Sequence, residues 1–279
     1  MNIEKFLDSS ARVAIDDLDW DLCRKAGVTS DEIQCISYFA DVESQTVFYM
    51  RELLATPVAL TDPDMVTFAT MWNYEEMFHS RALERLLAEC GHALPSSRQT
   101  DVRQGAGIAG KLEVLFQTWM GRLWPDHFAA LYVTWGASQE LLTSSAYDEM
   151  ARRTANPVLR ELCMRIGKQE RRHFAWYFGS AKKRLADSRS ARKTTRFIIE
   201  RLWSPVGGGV KSPAQARELV DTLWGPARFA EVAAAIDARM ATLPGMDNFS
   251  VVSRYAASTA APPSPRLFVS DVAVDHVAL

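Results

Sequence analysis

Two short patterns in this chain hold donors suited to metal chemistry. Glu170 and His173, in Lys168-Gln169-Glu170-Arg171-Arg172-His173, stand three residues apart, as do Glu76 and His79 in Tyr74-Glu75-Glu76-Met77-Phe78-His79. On a helix, residues three apart share a face, so each pair can present a carboxylate and an imidazole to one ion. Two further acids, Glu43 and Glu140, fall on otherwise apolar helical faces, where an acid is unusual. In chain order the donors run Glu, Glu-x-x-His, Glu, Glu-x-x-His. Four carboxylates and two imidazoles suit a pair of iron or manganese ions, with no soft donors to favour copper(I) or an iron–sulfur centre. Four carboxylates also cancel the charge of two divalent cations, so such a site can be buried at moderate cost.

These donors need four long helices that meet at one depth. Thr29 offers an N-cap, and apolar positions from Ile33 to Leu54 repeat at three- and four-residue steps, predicting one helix over about 31–56 that carries Glu43 near its middle. Asp62-Pro63 opens a second, predicted to run to about Cys90 and stop at Gly91. It carries Glu76 and His79, with Trp72 one turn earlier on the same face. Residues 91–108 read as a loop, 111–123 as a helical stretch, and 126–154 as a long helix bearing Glu140. After Asn156-Pro157 another helix is predicted to about Ala186, bearing Glu170 and His173. Gly136 and Gly167 each lie about one turn before a candidate ligand; close helix packing and room beside the metals are both consistent with them.

Further on, residues 188–203 are basic and compatible with a helix, 204–212 read as a loop, and short helices are predicted from Pro213 and Pro226. From Pro244 the pattern dissolves. The expected organisation is all-α: one domain over 1–245, its four-helix bundle at about 31–186 with flanking helices, and an extended or flexible C-terminal extension over 246–279.

With 279 residues, 48% of them hydrophobic and 24% charged, and a formal net charge of -2, the composition is that of an ordinary globular protein without the basicity of a nucleic-acid binder. No apolar run is long enough for a membrane span and no signal peptide is evident, so a cytoplasmic location is expected. Cys23, Cys35, Cys90 and Cys163 are scattered, giving neither a zinc pattern nor a disulfide framework. His92, His127 and His276 fall outside the paired pattern and read as solvated or structural.

The segment Glu140-Leu141-Leu142-Thr143, then Ala151-Arg152 and Gln169-Glu170-Arg171-Arg172-His173, resembles the soluble acyl-acyl carrier protein desaturases of the ferritin-like di-iron carboxylate superfamily. So does Trp72-Asn73-Tyr74-Glu75-Glu76-Met77-Phe78-His79. The resemblance spans roughly 31–186. It implies a ferritin-like bundle in which Glu43, Glu76, His79, Glu140, Glu170 and His173 ligate two irons. It also implies that Thr143 lies beside the oxygen site and relays protons, and that the protein is a homodimer. Plant members carry Asp where this chain has Gln169, a neutral residue beside a ligand, which bears on redox tuning.

On this reading the chain is an O2-dependent oxidase with two Fe ions (Mn as an alternative metal). It would desaturate an acyl chain held on acyl carrier protein, with a ferredoxin-type protein as electron donor. Hydroxylation or N-oxygenation of a small metabolite is the enzymatic alternative, and a ferritin-like ferroxidase the alternative of another class. Lys182, Lys183, Arg184, Arg189, Arg192, Lys193, Arg196 and Arg201 offer a face for an acidic carrier. A solvated charged helix explains the same run. Glu75 points about 100° away from Glu76 and reads as a flank ion pair.

Overall fold

The computed structural model describes residues 2–98, 100, 119–208 and 210–260. Twelve helices lie wholly within them: α1 (Ile3–Leu7), α2 (Trp20–Ala26), α3 (Ser30–Glu43), α4 (Thr46–Leu54), α5 (Val58–Thr61), α6 (Pro63–Glu89), α7 (Pro125–Arg153), α8 (Pro157–Asp187), α9 (Arg189–Leu202), α10 (Pro213–Leu223), α11 (Pro226–Met240) and α12 (Val251–Ala260). There is no strand among the described residues. The all-α expectation holds, and the predicted stretch 111–118 lies outside the described residues.

Local chemistry fixes the boundaries of the long helices. Thr29 caps α3 in a reciprocal box with Glu32. Asp62 accepts the Met65 N–H at the start of α6, with Pro63 at the first helical position. Beyond its end Gly91 takes φ +86°, a conformation that costs a residue with a side chain. Asn156 accepts from Val158 and Leu159 at the start of α8. Because only residues 154–156 join α7 to α8, these two helices pack antiparallel along most of their length. The pair α3 and α6 closes the bundle, and α9 lies against α7.

Two expectations are corrected. The helix predicted over 31–56 is broken after Glu43. Ser44 and Thr46 turn their hydroxyls back onto the carbonyls of Asp41 (2.8 Å) and Glu43 (3.1 Å). Such bonds compete with the helical ladder and let α3 end and α4 restart. Glu43 is therefore a terminal rather than a central helical residue. The second correction is α12, which lies within residues read as extended. Its first turn is capped not by a neighbour but by Asp237 of α11, which accepts from Val252 (3.1 Å) and Ser253 (2.8 Å). Val251, Val252 and Ala256 are buried in the same core as the bundle.

Candidate metal centre

The structure brings all six candidate donors together: Glu43 ends α3, Glu76 and His79 come from α6, Glu140 from α7, and Glu170 and His173 from α8. None is more than 5% exposed. Their donor atoms form two overlapping quartets, Glu43 with Glu76, His79 and Glu170, and Glu76 with Glu140, Glu170 and His173, each within 4.8 Å. Glu76 and Glu170 belong to both, as bridging carboxylates would.

The donors converge on shared space rather than on one another. His79 Nδ1 lies 3.0 Å from Glu170 Oε1, 3.6 Å from Glu76 Oε2 and 3.7 Å from Glu43 Oε2. His173 Nδ1 lies 3.0 Å from Glu76 Oε1, 3.2 Å from Glu170 Oε2 and 3.7 Å from Glu140 Oε2. Despite these distances, His79 Nδ1, Glu76 Oε1 and Glu170 Oε1 are buried without an aligned hydrogen-bond partner. Buried polar atoms are seldom left so, and cations between them would satisfy all three.

Electrostatics point the same way. Burial, then the charges of Glu76 and Glu170, push Glu43 well above the usual carboxylate range; burial and Glu170 do the same to Glu140. Burial opposes a charged ring at His79 and His173. The surrounding carboxylates, Glu170 foremost at His79 and Glu140 at His173, outweigh it and push both upward. Glu43 is further held by Tyr147, whose hydroxyl donates to its Oε1 at 2.5 Å. Tyr147 lies two turns beyond Glu140 on α7, and nothing in its spacing signals this bond.

Behind the histidines lies a layer of partners. Gln169 donates its amide to the Ala11 carbonyl (2.8 Å), which can only accept, so its Oε1 faces His79 Nε2 at 2.7 Å. His79 Nε2 therefore carries a proton and Nδ1 is turned to the centre. On the other side His173 Nε2 meets Glu75 Oε2 at 2.6 Å. Glu75 was read as a flank ion pair, and it does pair with Arg172 (2.5 Å), but it is fully buried and its main task is to hold His173. Burial works against its charge; His173, Arg172 and the Ala11 N–H outweigh burial and keep it below the usual range. Arg171 faces outward to Asp148.

A cavity of about 460 Å³ adjoins the carboxylates. On α7 its wall runs through Phe128, Leu131, Tyr132, Trp135, Gln139, Glu140 and Thr143, one helical face roughly 20 Å long at 1.5 Å per residue. Tyr49, Trp72 and Tyr177 face it from α4, α6 and α8, Ile198 and Leu202 from α9, and residues 204–208 from the following loop. Among the described residues, its charged lining is Glu43, Glu76, Glu140 and Glu170. Gly136 serves packing, since a Cβ there would sit 2.6 Å from the Tyr177 ring; at Gly167 a Cβ would meet nothing closer than 3.4 Å.

No protein-family model matches the chain, and no curated relative does. Solved structures do. An R2-like ligand-binding oxidase with an aerobically reconstituted Mn/Fe cofactor superposes with a TM-score of 0.56 at 13% identity, over 92% of this chain and 88% of that one. A variant with an Fe/Fe cofactor gives 0.56 at 12%, over 92% and 88%. The chain has the ferritin-like helical-bundle fold. At this identity the likeness establishes the fold alone. Within it, the inward-facing Glu and Glu-x-x-His residues occupy the four helices that a dinuclear carboxylate site in such a bundle requires. No helix among the described residues is long and apolar enough to cross a membrane.

Proposed function

We propose that the protein is an oxidoreductase that uses O2 and a dinuclear iron or manganese–iron centre to oxidise a C–H bond of an extended, uncharged chain. The observation that carries this is the junction of the six-donor cluster with the long apolar cavity. Glu43, Glu76, His79, Glu140, Glu170 and His173 would hold the two ions; the neighbours of like fold carry Mn/Fe or Fe/Fe pairs. When bound, such a pair supplies the redox capacity to activate O2 for attack on an unactivated C–H bond.

The chain's own residues would do the rest. The aromatic wall excludes water and holds the substrate beside Glu140 and Glu170. Thr143 lines the cavity three residues beyond Glu140, a place from which its hydroxyl can pass protons. With no Lys, Arg or His among the described residues of the wall, a free carboxylate would find no partner there, which favours a chain whose head group stays outside. Desaturation of an acyl chain on acyl carrier protein meets that condition. It removes two hydrogens from the chain and reduces O2 to two waters, with two further electrons from a ferredoxin-type donor and two protons from solvent. Lys182, Lys183, Arg189 and Lys193 are exposed and could receive the acidic carrier, whereas Arg184 and Arg196 are occupied by Asp62 and Glu200.

The reading is tested by loading the protein anaerobically with ferrous iron and adding O2 and reductant, with acyl carrier protein bearing long saturated chains. Two metals per chain and an unsaturated product are expected; a hydroxylated product would move the activity to the hydroxylase class. Binding well below two metals per chain would overturn the proposal.

A further inference from the structure

The two histidines of the centre are braced by unlike partners, and one residue orients both. The Ala11 N–H donates to Glu75 Oε1 (2.8 Å), and the Ala11 carbonyl accepts from Gln169 (2.8 Å). Glu75 in turn takes the Nε2 proton side of His173, and Gln169 that of His79. Arg172 reaches from Glu75 to the Ser9 carbonyl, and its guanidinium lies over Phe6, which packs beside His173. The N-terminal segment is thus built into the back of the centre, although it supplies no donor to it.

From this arrangement we infer that the two metal positions are unequal, with the position at His173 binding the first ion more tightly because its imidazole is backed by a carboxylate and that at His79 only by a neutral amide. The inference rests on the dinuclear reading above. A carboxylate accepting from the outer N–H of a ligating imidazole makes the inner nitrogen a stronger donor; an amide oxygen does this far less. Arg172 offsets the charge of Glu75, but it stands behind the carboxylate, so the nearest charge to the ring is negative. The other donors do not create the difference: each histidine faces the shared Glu76 and Glu170 and one private glutamate, Glu43 or Glu140. Ala11 maintains the inequality, because its carbonyl turns the Gln169 amide oxygen toward His79 and its N–H fixes the Glu75 carboxylate.

Anaerobic calorimetric titration of the metal-free protein with Mn2+, paired with anomalous diffraction from crystals loaded with one equivalent, tests this without recourse to activity. Wild type should bind two ions in distinct steps, the first beside His173. Glu75→Gln gives both histidines amide partners and should weaken the first step by about 10–100-fold, drawing the two steps together. The exchange Glu75→Gln with Gln169→Glu should move the first ion to His79. A variant that merely loosened the fold would weaken both steps and could not reverse their order. Ala11→Pro, which deletes the N–H to Glu75 but keeps the carbonyl to Gln169, should weaken the first step alone. Two equal steps in wild type, a first ion at His79, or an unchanged titration in Glu75→Gln would each overturn the inference. Failure of wild type to bind two ions would instead sink the dinuclear reading.

Discussion

The two flanks of the donor cluster are built on opposite principles. Behind the histidines, toward the N-terminal segment, the groups that orient the rings are hydrogen-bonded, Gln169 with Ala11, and Glu75 with Ala11, Arg172 and His173, although Arg172 Nε itself is buried without a partner. On the carboxylate side lies an aromatic cavity with no cationic side chain among its described lining residues, where the Trp72 indole N–H is buried and unpartnered. The contrast shows a division of labour. A hydrogen-bonded layer fixes where donors point, because each of its bonds left unmade would cost about 1–3 kcal/mol. An apolar wall fixes nothing about the donors, but keeps water out and leaves space beside them.

The sharpest way to break the comparison is to remove a donor shared by both quartets. Glu170→Ala should abolish binding of both ions, whereas Glu140→Ala should spare the His79 quartet and leave about one ion per chain. Elemental analysis after loading and gel filtration distinguishes these; equal losses in the two variants would contradict the shared role of Glu170. The cavity flank can be altered without touching the donors. Thr143→Val should keep both ions and the fold but slow turnover by about a hundredfold, the size of an ordinary proton-transfer contribution. Turnover within a factor of about two of wild type would remove Thr143 from the proposed proton path. Gly136→Ala probes the wall itself. The added methyl meets the Tyr177 ring at 2.6 Å, so the variant should lose about 1–3 kcal/mol of stability, read from chemical unfolding.

How much of this was legible in the sequence follows from the range of the forces involved. The convergence of the six candidate donors was readable in part because helical periodicity is local: three-residue spacing places Glu76 with His79 and Glu170 with His173. The ends of α6 and α8 were readable because Asp62, Pro63, Asn156 and Pro157 act on the turns they adjoin. The break after Glu43 was less so, since Ser44 and Thr46 are polar residues whose hydroxyls can serve or interrupt a helix. The start of α12 was hidden because its cap, Asp237, is fifteen residues away along the chain. The bracing of both histidines by Ala11 was hidden for a deeper reason: backbone groups do it, and every residue but proline has them. Glu75 was readable as an ion-pair partner but not as the brace of His173, because helical angle gives a direction but not what waits there.

The smallest predicted effect concerns the charge that both flanks enclose. In the protein without metal, Glu43 and Glu140 take up protons more readily than in the unfolded chain, as do His79 and His173. A group whose folded pKa is raised lends stability that is complete below its unfolded value and is lost as pH climbs through the folded one. For the two glutamates that loss begins above about 4.5, and for the two histidines above about 6.5. Glu76 and Glu170 are shifted downward, so their contribution falls away only in acid and does not offset the trend near neutrality. The metal-free protein should therefore melt lower at pH 8 than at pH 6. Saturating Mn2+ should reverse the slope, because metal binding requires deprotonated donors and strengthens as they lose protons. Glu140→Gln removes one of the glutamates that resist ionisation, so the metal-free variant should melt higher than wild type at pH 8, by roughly 2–4 °C for each kcal/mol relieved. Scanning calorimetry at the two pH values, with and without Mn2+, measures all of this. A metal-free wild type that is equally stable at both would mean that the enclosed carboxylates are not under the mutual repulsion that the cluster implies.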